Sequence, residues 1–78
     1  MATTLKLHHL SANATELHRG NDVVLFSYDT PVAFFQSGAG YFRTTQSFSK
    51  TTSRHINTWL AGMSAQGVSQ EEVEGFLG

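Results

Sequence analysis

The 78-residue sequence has no cysteine, a single proline and few charged residues, which make up 14% of the chain. The absence of cysteine excludes disulfides and thiolate metal sites, and it favours a cytoplasmic protein. No apolar run exceeds the four residues of 23–26, far short of the ~20 residues that a membrane span needs. We therefore expect no membrane association. A chain of this length predicts a single domain, 1–78.

Acidic residues are absent from 30–70, a stretch that contains Arg43, Lys50 and Arg54. Acids return only in 71–78. The middle of the chain is therefore mildly positive and its C-terminal end is acidic. This charge is far below that of a dedicated nucleic-acid-binding protein, but it favours partners that carry carboxylate or phosphate groups.

Strand-like segments fill the first half of the chain. Alternating, β-branched or aromatic residues predict strands in "TTLKLHHL", at 15–18, and in "DVVLFSY", "VAFFQ" and "YFRTTQSF". Turn formers separate these segments, including the glycine-containing loop at 37–40. Consecutive strands with short turns indicate an antiparallel meander.

Helical spacing replaces this pattern after Ser49. Ile56, Trp59, Leu60 and Met63 lie at i, i+3, i+4 and i+7, the apolar stripe of an amphipathic helix. Ser49, Thr51 or Thr52 would cap its start, and Gly67 would stop it after a frayed end near Ala65. A second, short helix is predicted in "SQEEVEGF", where Ser69 and Glu72 form a capping box.

The order of strands followed by helices predicts an α+β fold. We expect a small antiparallel sheet of three to five strands packed against one amphipathic helix, with a short second C-terminal helix.

No pattern of catalytic or metal-ligating residues stands out. His8 and His9 are adjacent, so on a strand they point to opposite faces and do not chelate one metal ion together. Asp29, His55 and a serine could be named as a triad, but none lies in a recognisable nucleophile context. We predict a protein that is not an enzyme, with no metal and no cofactor.

Two groups of residues are candidates for binding. Aromatic pairs flank the 37–40 loop. We expect Phe35 and Tyr41, beside Arg43, to form a contact surface for a partner protein, for nucleic-acid bases or for a second copy of this chain. Lys50 and Arg54 occupy a first helical turn, where acids are usual. They either border a plain helix cap or hold an anion at the helix start.

An acidic patch is the alternative binding surface. It comprises Glu71, Glu72 and Glu74.

The segments "LFSYDTPVA" and "TTSRHINTWL" resemble a group of short, phage-encoded proteins of unknown function. These proteins share an L-F-S-Y-x-T-P-V-A segment and a T-T-S-[RK]-H-I-N-x-[WF]-L segment, and the resemblance covers 23–60. It implies an accessory protein that stays in the cytoplasm of an infected bacterial cell.

Together these features predict a small non-enzymatic binding protein, a phage accessory factor that modulates or inhibits a host or defence protein complex. A homodimer is an alternative that would bury the surplus aromatic residues. The second hypothesis is a weak nucleic-acid or nucleotide-binding protein that uses the acid-free middle of the chain.

Overall fold

The computed structural model describes residues 5–11 and 13–77. This part of the chain contains six strands and two α-helices. The strands are β1 (Leu5–Ser11), β2 (Ala14–Arg19), β3 (Asp22–Ser27), β4 (Thr30–Gln36), β5 (Gly40–Thr44) and β6 (Gln66–Val68). The helices are α1 (Lys50–Leu60), between β5 and β6, and α2 (Gln70–Leu77), after β6. The first two residues of the predicted "TTLKLHHL" strand lie outside the described residues.

All six strands belong to one sheet, in which strand order follows chain order from β1 to β6. Neighbouring strands from β1 to β5 pair antiparallel, whereas β6 pairs parallel with β5. Parallel neighbours need a crossover connection, and α1 forms it. The predicted antiparallel sheet of three to five strands was therefore wrong. The described sheet is mixed and has six strands.

The two helices cover opposite faces of this sheet. Successive residues of a strand point to opposite sides, so Leu25 packs with Ile56 and Leu60 of α1 while its neighbour Val24 packs with Val73 of α2. The prediction of a sheet packed against one amphipathic helix was wrong for this reason. The molecule is a small α+β domain with three layers, and its central strands are apolar on both sides.

Aromatic rings form the core on the α2 side. Phe34 lies between two nearly parallel rings, with centroids 4.8 Å from Phe42 and 4.1 Å from Phe76. Arg19 of β2 covers the Phe76 ring at 5.1 Å and donates hydrogen bonds to the carbonyl oxygens of Phe76 and Leu77. A cation at these last carbonyls complements the negative end of the helix dipole. Arg19 therefore fastens the end of α2 to the sheet.

The start of α1 agrees with the prediction from the sequence, but its end does not. Ser49 is the N-cap, and its Oγ accepts a hydrogen bond from the backbone N–H of Thr52 at 3.2 Å. The helix stops before Ala61, which adopts a left-handed conformation with φ of 51°. The predicted stop at Gly67 was wrong, since that residue lies in β6. Met63, predicted on the buried stripe, follows the helix and is 55% exposed.

The predicted capping of α2 is confirmed. Ser69 Oγ accepts a hydrogen bond from the backbone N–H of Glu72 at 3.2 Å, and the first turn carries Glu71 and Glu72, which match the positive end of the dipole. With 11 and 8 residues, neither described helix is long and apolar enough to span a bilayer.

Candidate functional site

Phe35 and Tyr41 pair on the α1 side of the sheet. They are cross-strand partners on β4 and β5, and their ring centroids are 4.9 Å apart. Tyr41 also meets Trp59 of α1 edge to face at 5.5 Å. Both predicted aromatics are half-buried because α1 and the loop after it lie over this side of the sheet. Each of the two rings is therefore only partly available to a partner.

Of the three predicted basic residues, Arg43 lies beside that pair, two residues after Tyr41 on the same side of β5, whereas Lys50 and Arg54 belong to α1. Arg43 is half-buried and donates a hydrogen bond to Asn57 of α1 at 3.4 Å, while Lys50 and Arg54 are exposed. Lys50 and Arg54 line a shallow hollow together with Phe48, which is 37% exposed. None of the described cavities is lined by both this basic pair and the Phe35–Tyr41 pair. That Phe35, Tyr41, Arg43, Lys50 and Arg54 act together as one binding site stays a prediction.

The glutamates of the alternative acidic patch are exposed on α2. Glu74 accepts a hydrogen bond from the Gln70 side chain at 3.1 Å, and Glu72 takes part in the N-terminal cap. Two of the three acids therefore have local partners within the helix.

A groove that sequence reasoning missed opens between α1 and the end of the β1–β2 hairpin. Its volume is about 540 Å³. We name it the α1 groove, and its lining residues are Leu10, Ser11, Ala14, Glu16, Arg54, His55, Thr58 and Trp59.

A hydroxyl–imidazole network holds His55, one of the lining residues of the α1 groove. Ser27 Oγ lies 2.8 Å from His55 Nδ1 and 2.9 Å from Thr52 Oγ1. The adjacent Tyr28 has a left-handed backbone with φ of 57°, and its ring centroid is 6.1 Å from that of His55. A serine next to a histidine suggests a nucleophile, but Ser27 is only 2% exposed. Its hydroxyl is therefore placed to orient His55 and not to attack a substrate.

Replacing Ser27 with alanine is expected to lower the free energy of unfolding by about 1–3 kcal/mol, because the substitution leaves two polar partners inside the protein without their hydrogen bond. Urea unfolding followed by circular dichroism measures this cost. Ser47 is exposed, so Ser47→Ala is a matched control with an expected change below about 0.5 kcal/mol. Equal stability of the two variants would show that the network contributes nothing.

A second set of polar contacts closes the groove on the β2 side. Glu16 accepts hydrogen bonds from Trp59 Nε1 through one oxygen and from His18 Nε2, at 3.0 Å, through the other. His8 faces Glu16 across the β1–β2 pair, and its ring centroid is 4.6 Å from that of His18. Within 5–11 and 13–77, no group of three or more histidine, aspartate or glutamate side chains is arranged to hold a metal ion.

The β1 edge, which we define as the free side of Leu5–Ser11, is the most exposed apolar feature of the sheet. Every residue of β1 is exposed. Leu5 is 60% exposed, Leu7 66% and Leu10 49%. The alternation in the predicted "TTLKLHHL" strand is typical of a half-buried strand, whereas neither helix covers β1 on either side. The leucines were visible in the sequence, but their exposure follows from the position of β1 at the margin of the sheet.

Comparison with known proteins gives a family but no activity. Neither the curated proteins nor the solved structures provide a significant match. One family model matches residues 3–75, nearly the whole chain. The chain therefore belongs to DUF8033, a family of unknown function.

Proposed function

We propose that this chain is a small non-enzymatic binding protein that holds an extended segment of a partner protein along the β1 edge. The observation that carries this proposal is the exposure of all seven residues of β1, with Leu5 and Leu7 60% and 66% exposed. An edge strand presents unpaired backbone N–H and C=O groups, and natural proteins usually shield such edges. An added strand would pair these groups and cover the leucines.

The two sides of the β1 edge differ in chemistry, which specifies the partner segment. Leu5 and Leu7 point to the α2 side, whereas Lys6 and His8 point to the α1 side, because successive residues alternate. A complementary strand would carry apolar residues on one side and acidic residues on the other. The opposite margin of the sheet, β6, has only three residues and offers much less to pair with.

Charge also favours a different protein over a second copy. Antiparallel pairing of β1 with itself, centred on Leu7, would place Lys6 opposite His8 of the second chain and would supply no acid to pair with Lys6, whereas a different protein can supply one. A homodimer remains the alternative to be measured. Light scattering coupled to size exclusion distinguishes the two, since strand addition by a partner needs only a monomer.

The resemblance to short phage-encoded proteins supports the choice of partner. On that basis we propose a phage accessory factor that acts in the host cytoplasm, where it modulates or inhibits a host or defence complex. No cofactor is needed for this role. Bacterial lysate is therefore the material in which to search for the partner.

Nucleic-acid binding is the second candidate, favoured by one observation. Phe48 is 37% exposed in the same hollow as Lys50 and Arg54. An aromatic ring beside two cations suits stacking on a base together with phosphate contact. Anisotropy with labelled DNA and RNA would detect it, and affinity driven by phosphate should fall steeply as salt is added.

Exchanging Leu5 and Leu7 together for lysine is expected to weaken partner binding by roughly 2 kcal/mol or more, about thirtyfold, because both side chains would lose buried contacts. The partner would first be recovered by a photo-crosslinker placed at position 7, and its affinity then measured by biolayer interferometry. Both leucines are exposed, so the fold should tolerate the change.

Met63→Lys is the control for the lysine variant, since Met63 is 55% exposed and lies after α1, far along the chain from β1. It should bind as the parent does. A partner that binds the double lysine variant with unchanged affinity would rule out the β1 edge as the contact surface.

A further inference from the structure

The α1 groove has the size and the lining of a small-molecule site. Its volume of about 540 Å³ lies within the range of ligand pockets, roughly 300–1,000 Å³. Leu10 and Trp59 provide apolar walls, and Ala14, only 4% exposed, lies on the floor. Such sites are mostly apolar and carry a few polar groups that fix the orientation of the ligand.

The polar groups that line the groove differ in how free they are to bind a ligand. Both oxygens of Glu16 already accept hydrogen bonds, from Trp59 and from His18. Among the described residues the one salt bridge joins His18 and Glu16, so Arg54 has no carboxylate partner there. A guanidinium keeps its charge at any ordinary pH and binds carboxylates through two parallel hydrogen bonds. The lining thus carries one carboxylate, Glu16, whose oxygens are engaged on the β2 side, and one guanidinium, Arg54, which is the group left to bind an anion.

His55 adds a second, oriented polar group. Its Nδ1 lies 2.8 Å from Ser27 Oγ, and Ser27 is 2% exposed, so the ring is held from inside the protein. His55 also lines the groove. With Nδ1 directed inwards, the ring presents its Nε2 edge on the other side, where it would meet a ligand.

We propose that the α1 groove binds a small apolar monocarboxylate. The apolar body would lie between Leu10 and Trp59, and the carboxylate would bind the Arg54 guanidinium and the His55 ring. Leu10 and Ser11 belong both to β1 and to the lining of the groove, but the two proposals use different groups. Strand addition needs the free backbone of β1, whereas the groove uses side chains between the hairpin and α1. Either one could fail while the other stands.

The test uses Trp59, the single tryptophan of the chain, as its own reporter. The probe is 3-phenylpropionate, which has a ring, a short linker and one carboxylate. Titration should quench or shift the Trp59 emission in a saturable way, with a Kd on the order of 1 mM for a ligand of this size. Amide NMR shifts should concentrate at the groove, around Leu10 and Ala14.

Two comparisons test the role of charge. The neutral 3-phenylpropionamide should bind the parent protein at least about tenfold more weakly, and Arg54→Gln should weaken binding of the acid by a similar factor. Lys50→Gln is the matched control, because Lys50 is an exposed cation of the same helix that does not line the groove. It should bind the acid as the parent does.

The comparison of acid with amide on the parent protein does not depend on whether any variant folds. Equal affinities for acid and amide, equal affinities of Arg54→Gln and the parent, or shifts scattered over the surface without saturation would each overturn the proposal.

Discussion

Phe34→Ala is expected to lower the free energy of unfolding by about 3–5 kcal/mol. Phe34 is only 6% exposed, and its ring lies between those of Phe42 and Phe76. Truncation removes the stacking and leaves a cavity beneath α2. A domain of this size has a total stability of roughly 4–12 kcal/mol, so most of it would be lost.

Urea unfolding measured by circular dichroism gives the stability of Phe34→Ala and of a control, Phe48→Ala. Phe48 is 37% exposed and precedes α1, so its loss should cost below about 1 kcal/mol. Similar stabilities of the two variants would contradict a packed core between the sheet and α2.

Leu25→Ala is expected to cost about 3–5 kcal/mol for a similar reason on the other side of the sheet. Leu25 is fully buried, and it packs with Val32 and Ala33 of β4 and with Ile56 and Leu60 of α1. These neighbours belong to paired strands and a helix, so they would collapse only partly into the vacated space.

Leu7→Ala makes the same chemical change where the side chain is 66% exposed, and it should cost below about 1 kcal/mol. The ratio of the two costs measures burial directly, since the deleted atoms are identical. If the Leu25 variant were as stable as the Leu7 variant, the sheet would not be buried against α1.

Much of the fold could be predicted because its signals are local. The alternation and turn residues located β1 to β5. Ser49 was one of three candidate caps for the first helix, and the capping box at Ser69 marked the start of the second. The sequence also carries a signal for a layer on each side of the sheet. The runs at 23–26 and 32–35 are apolar at every position, as is typical of strands covered on both faces. That pattern already indicates a second covering helix.

β6 could not be predicted in this way. Its three residues, Gln66, Gly67 and Val68, have no alternation and little β-propensity. They form a strand because α1 returns the chain to the edge of β5, where Val68 becomes buried in the α2-side core. Tertiary contacts therefore create this strand, and a local pattern does not reveal it.

The α1 groove was also beyond prediction, because its contacts join distant parts of the chain. Trp59 and Glu16, which hydrogen bond across its wall, are 43 residues apart in sequence. Arg54 was selected for its charge, but the apolar wall opposite it comes from Leu10 on the first strand. The sequence therefore pointed to the charged side of the groove at Arg54. The apolar wall at Leu10 depends on how the sheet places β1 beside α1.

α2 follows the six described strands, and this order has a consequence for synthesis on the ribosome. Strands β1 to β5 pair with their neighbours in the order in which they are made, so hairpins can form as the chain emerges. The aromatic side of the sheet, with Phe34 and Phe42, stays uncovered until Val73 and Phe76 have been added. The nascent protein thus exposes an aggregation-prone apolar surface during translation. Its folding is completed only after α2 has left the exit tunnel.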